Sequence, residues 1–218
     1  MLTRAQLGAL VASMESLYAC TVVRPDAPGR ELALGGLKAF LTLVVPGVGP
    51  QVLQMLLGEM DRASRTVPLP VLGTTVFLSP GAVASIEQEY RTLVHEFAHA
   101  AQIQRAGSWQ AAVDYLASAE LRALRETEGC VAAAWAWYLV TGELPMAEDA
   151  VASLARDFYH LDESQRTFAA VIARSHLASM LAGSVPPLDI CVETLRWLRA
   201  HAPDAIVPTW ARTVAVPS

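Results

Sequence analysis

The chain has little cysteine: three residues, Cys20, Cys130 and Cys191, odd in number and far apart. That pattern suggests neither a disulfide framework nor a cysteine-built zinc site, and a reducing, cytoplasmic setting is expected. It also lacks a basic run, the densest cluster being the spaced pair Arg122 and Arg125, and the net charge is -5. No nucleic-acid surface and no acidic partner are expected from such a balance. Charged residues make up only 17% of the chain against 53% hydrophobic ones, and no repeat or low-complexity run interrupts it. A disordered or repeat protein is thereby excluded in favour of a tightly packed, mainly helical globule.

Long apolar runs are scarce as well. The most apolar stretch, "AFLTLVVPGVGP" at residues 39–50, is broken at Pro46 and Pro50, short of the roughly 20 residues that span a bilayer. No transmembrane segment is expected, and a buried helix is the favoured reading. Leu53, Met55, Leu56 and Leu57 continue the apolar character to residue 57, so a weak membrane contact or a homodimer surface over residues 39–57 competes with it. At the start of the chain, "LYAC" precedes position 21 in the manner of a lipoprotein processing site. Glu15 interrupts the apolar run and Tyr18 is bulky where such sites need a small residue, so an amphipathic helix is expected instead.

With 218 residues the chain can bury a sizeable core, and a single domain over residues 1–218 is expected. Thr3 can cap a helix running to about Cys20, which "RPDAPGR" then breaks. Helices over residues 31–45 and 51–64 follow. One strand is expected, at residues 71–78, where β-branched and aromatic residues sit between Pro70 and Ser79-Pro80-Gly81. Helices are expected thereafter over residues 82–106, 108–117, 119–140, 147–160, 163–182 and 189–200, with Gly107, Gly142, Gly183 and Pro203 among the stops. The fold class is therefore mainly α with a small β element, α+β. Trp109, Tyr115, Trp135, Trp137 and Tyr138 are expected to pack in the core.

Against this background stands "YRTLVHEFAHAAQIQ", residues 90–104. His95 and His99 are four apart, so on a helix their rings share one face, one turn apart, close enough to hold one ion. Imidazole suits zinc, and a catalytic zinc needs three protein ligands with a fourth position left to water. Glu96, next to the first histidine, can act as general base towards that water. Leu93, Val94, Phe97, Ala98 and Ala101 give the same stretch an apolar packing face. Gln102, three after His99, shares the histidine face and can bond near the metal.

"LVHEFAHAAQ" followed by "RETEGCVAAAW" resembles the zincin metallopeptidases of the gluzincin type over about residues 71–138. The resemblance implies a core of strand, HExxH helix and glutamate-bearing helix, here with extra N- and C-terminal helices. It also implies a third zinc ligand on the second helix. Many gluzincins carry Glu-x-x-Ala followed by Asp or Asn, and "ETEGC" matches with Glu126 first, Gly129 for the Ala and Cys130 for the polar residue. The cysteine departs from the pattern and removes the carboxylate that would orient a ligand histidine. Periodicity points elsewhere: Glu128 lies on the larger apolar stripe with Leu121, Leu124, Val131, Trp135 and Leu139. The motif match selects Glu126, while Glu128 and Glu120 stay open as alternatives.

The expected function is a zinc-dependent metallohydrolase, a peptidase on a peptide or protein substrate, with His95, His99 and Glu126 on Zn²⁺ and Glu96 as base. Tyr159, His160 and His176 are candidate oxyanion donors. In zincins the strand before the active-site helix pairs with an extended substrate, which "GTTVFL" could do. The rivals are a non-catalytic binding or regulatory protein on the same scaffold, and an interaction or membrane-associated protein that uses residues 39–57.

Overall fold

Thr3 caps the first helix, α1 (Arg4–Leu17), in a reciprocal arrangement with Gln6, and Leu7, Leu10, Val11 and Met14 bury one of its faces. The computed structural model describes residues 1–36, 63–69, 73–156 and 159–216. The helix expected over 31–45 is seen as far as residue 36; most of the one expected over 51–64, and the apolar segment 39–57, lie outside the described residues.

α1 ends earlier than expected. Ala19 takes a left-handed φ of 47°, and the β-branched run after it forms a strand, β1 (Cys20–Val23). A second strand that the sequence reading missed, β2 (Arg65–Leu69), contains Pro68. Proline is tolerated there because β2 is an edge strand. The expected strand, β3 (Gly73–Phe77), is central: β1 pairs with it in parallel, Cys20 opposite Thr74, and β2 antiparallel, Arg65 opposite Phe77. "GTTVFL" thus has both neighbours occupied and offers no free edge to a substrate, contrary to expectation.

After a 3-10 turn at Pro80–Val83, Ser85 caps the histidine helix (Ile86–Ala106), with Glu87 and Glu89 in its first turn where the helix dipole favours them. Gly107, at φ 81°, closes this helix and opens the connecting helix (Ser108–Ala117). The glutamate helix (Ala119–Thr141) follows, then helices Glu163–Leu181 and Asp189–His201. The helix expected over 147–160 is instead one turn, Ala147–Ala150, and a 3-10 segment, Ala152–Ala155. No side chain caps that turn, and the broken path buries Ala147, Ala150, Val151, Leu154 and Tyr159. The fold is α+β, mainly helical with a three-stranded sheet.

The histidine and glutamate helices make the most extensive contact between elements among the described residues. Phe97, Ala100 and Ala101 on one and Val131, Ala132 and Trp135 on the other are buried, and core residues from Leu2 to Ala211 form one connected apolar cluster. Small side chains along this contact let the helices come close enough to share a site. Of the expected core aromatics, Trp135 is fully buried, whereas Trp109 is exposed. No helix among the described residues is long and apolar enough to cross a membrane.

Candidate metal centre

His95 and His99 leave the same face of the histidine helix, and Glu126 reaches them from the glutamate helix. The two Nε2 atoms are 3.2 Å apart, and each is 3.6 Å from Glu126 Oε2. Ligands held about 2.0–2.1 Å from a tetrahedral ion stand roughly 3.3–3.4 Å from one another. The triangle of donor atoms has edges on either side of that figure, so these residues form a group that could hold a metal ion. Glu126 Oε2 is buried without a hydrogen-bond partner. Such an atom costs free energy unless a cation compensates it, so the donor set fits a metal.

The charges in the triangle are strongly coupled. Burial alone would raise the Glu126 carboxyl pKa, but the charge on His99 and the contacts with both histidines hold it well below its usual value. Burial would likewise lower both imidazoles. The neighbouring Cys130 and Glu126 carry His95 well above its ordinary value, and the Glu126 charge carries His99 up. Cys130, where the resemblance would have placed a carboxylate or amide, is buried with its Sγ 3.9 Å from the Ser153 hydroxyl.

Each member of the triangle is held from outside. Tyr115, on the connecting helix, donates to Glu126 Oε1 at 2.7 Å. Gln102 lies 2.9 Å from His99 Nδ1. Its amide nitrogen donates to Glu128 Oε2 at 2.7 Å and to the Arg125 carbonyl at 3.1 Å. Glu128 thus belongs to the surroundings of His99 and not to the triangle. Glu120 is exposed in the first turn of the glutamate helix, bonded to Ser118.

Glu96 is buried, and its Oε2 lies 2.8 Å from the Thr66 hydroxyl on β2. That hydroxyl is also 2.9 Å from the Glu96 carbonyl, which ties the edge strand to the histidine helix. Arg65, beside Thr66, places its guanidinium 5.7 Å from the centre of the Tyr159 ring. Burial would lower the Arg65 pKa, but the neighbouring Tyr159 and the carboxylates of Glu126 and Glu96 raise it. Burial and then the Glu126 charge push the Tyr159 phenol far up. Of the three expected oxyanion donors, Tyr159 is therefore within electrostatic reach of the triangle. His160 is exposed with φ 47°. His176 is half-buried, its pKa lowered by burial against the opposing charge of Glu128.

The sequence reading did not select Arg65, Thr66 or Tyr115. Arg65 and Thr66 lie on the strand hidden by Pro68, and Tyr115 reads as one more core aromatic. No protein-family model matches the chain, and no curated protein or solved structure matches it.

Proposed function

We propose that the protein is a zinc-dependent hydrolase acting on peptide bonds, with a zincin-like core. The observation that carries the reading is the triangle of His95, His99 and Glu126 with its unpartnered buried carboxylate oxygen. The succession of β3, histidine helix, connecting helix and glutamate helix follows the order the gluzincin resemblance implies. These three residues would hold Zn²⁺. When bound, it supplies a Lewis acid that polarises a carbonyl oxygen and lowers the pKa of a water towards 7.

The chain's own residues supply the rest. Glu96 takes the proton of the attacking water and passes it to the leaving amine; Thr66 keeps that carboxylate oriented. Arg65 and Tyr159, packed against each other, provide a cation and a high-pKa phenol suited to stabilising the oxyanion that forms on the scissile carbonyl. Tyr115 fixes Glu126 from behind.

The test is metal content by mass spectrometry on protein purified without chelator, followed by cleavage of a denatured-protein substrate mixture. About one zinc per chain is expected, lost in His99→Ala and in Glu126→Ala. Glu96→Gln should keep the zinc and lose cleavage by at least about a hundredfold. Wild-type protein that stays metal-free after zinc is added back would sink the reading. A second reading, a metal-binding module without catalysis, is favoured by one observation: Glu96 is only 3% exposed. Zinc bound with no cleavage by the wild type would support it.

A further inference from the structure

The surroundings of His99 contain a logical constraint that depends only on which groups can donate. Gln102 is buried, at 6% exposure, and three partners surround its amide: His99 Nδ1, Glu128 Oε2 and the carbonyl of Arg125. A carboxylate and a carbonyl can only accept. The NH₂ of Gln102 must therefore face Glu128 and Arg125, which leaves its oxygen facing His99. An amide oxygen also only accepts, so Nδ1 of His99 must carry the hydrogen. A neutral imidazole has one N–H, and Nε2 is then the bare nitrogen. That is the atom 3.2 Å from His95 Nε2 and 3.6 Å from Glu126 Oε2.

We infer that Gln102 and Glu128 are positioning residues that set the tautomer of neutral His99, so that when the imidazolium gives up a proton it is Nε2, facing the triangle, that is left bare. Glu128, on the glutamate helix, fixes the orientation of the Gln102 amide. Gln102 in turn fixes His99, three residues earlier on the histidine helix. The runner-up third ligand thus acts through two other side chains. Arg105, whose Nη2 is 3.7 Å from Glu128 Oε2, and helix Asp189–His201, through Asp189, anchor the outer end. The consequence for metal affinity rests on the zinc reading above; the tautomer itself does not.

The experiment is a long-range ¹H–¹⁵N correlation spectrum of ¹⁵N-labelled, chelator-treated protein, recorded through a rising pH series until the His99 ring shows a single N–H. Wild type should show His99 with hydrogen on Nδ1 and a bare Nε2. In Gln102→Leu the Nε2–H form should appear, and zinc affinity, read by competition with a chromophoric chelator, should fall about 10- to 100-fold. Nε2–H in the wild type, or an unchanged tautomer and affinity in Gln102→Leu, would overturn the inference. If that variant does not fold, Glu128→Leu carries the test, since the Glu128 side chain is 23% exposed. It should give a mixture of tautomers, and a pure Nδ1–H form would refute the part assigned to Glu128. A wild type with the expected tautomer but no zinc binding would remove the metal reading and leave the tautomer relay standing.

Discussion

A Cβ built on Gly129 would lie 2.8 Å from His95 Cε1 and 3.0 Å from both ring nitrogens. Unbonded carbon atoms rest about 3.5–4.0 Å apart, so the imidazole lies against bare helix backbone and any side chain would push it away. Glycine inside a helix costs up to about 1 kcal/mol relative to alanine, and here its lack of a side chain lets the ring reach the line of Glu126. Gly129→Ala sets the two effects against each other. Helical propensity improves, while the ring must shift by several tenths of an ångström or the helices must part. Because 0.5 Å of misplacement is enough to degrade a site of this kind, zinc affinity should fall tenfold or more. Circular dichroism should show the helical content retained. Unchanged zinc affinity in a folded Gly129→Ala protein would mean that His95 is not held in the position described.

At the level of elements, one buried carboxylate ties the start of the chain to the histidine helix. The Glu89 side chain is 1% exposed and meets Arg4, from α1, and Arg24, after β1, whose side chains are 58% and 38% exposed. Removing both arginines strands a charge with no water. Arg4→Ala combined with Arg24→Ala should cost about 3 kcal/mol, the lower end of the range for a broken buried pair, because solvent reaches both guanidiniums. Glu89→Leu should cost less, since both arginines then return to water and the leucine fills the space. Urea midpoints would decide, and a Glu89→Leu protein less stable than the double variant would contradict this account. The same elements show what could be read in advance. α1 was legible through its Thr3 cap and the spacing of Leu7, Leu10, Val11 and Met14, and the histidine helix through its motif. β1 was not, because the turn before it rests on Ala19 in a left-handed conformation without glycine, and its partner β3 lies some fifty residues away. β2 is hidden by Pro68, and past Ala150 the local composition favours a helix that the chain replaces with the 3-10 segment Ala152–Ala155. His95, His99 and Glu126 could be brought together by motif alone. Thr66, Arg65 and Tyr115 could not, since only tertiary packing carries them to the site.

For the whole molecule, the proposed zinc site would couple metal binding to global stability. Its donors come from the two helices with the most extensive mutual contact, and in the unfolded chain they are no longer gathered. A ligand that binds only the folded state stabilises it by about 2.7 kcal/mol at a hundred times its dissociation constant. For a chain of this length that raises the thermal midpoint by roughly 5–11 °C. The size of the rise depends on pH, with a sign set by the two histidines. Both have raised folded-state pKa values. In metal-free protein their contribution to stability is therefore present below the unfolded pKa of about 6.5 and lost as pH rises through the raised folded values. Glu126, whose pKa is lowered, contributes above about pH 4.3 and loses its contribution only as pH falls through its folded value. Across near-neutral pH His95 and His99 weaken the metal-free protein as pH rises, while His176, its pKa lowered by burial, contributes the opposite slope with or without metal. Zinc must displace the protons of His95 and His99, so at fixed zinc its binding strengthens over the same window in which these two weaken the chelated protein. The difference in thermal midpoint between zinc-loaded and chelator-treated protein should widen from about pH 6 to about pH 8, and His99→Ala should abolish it. A difference that stayed constant across that window would mean that zinc stabilises the protein without displacing protons from His95 and His99, and so binds somewhere else.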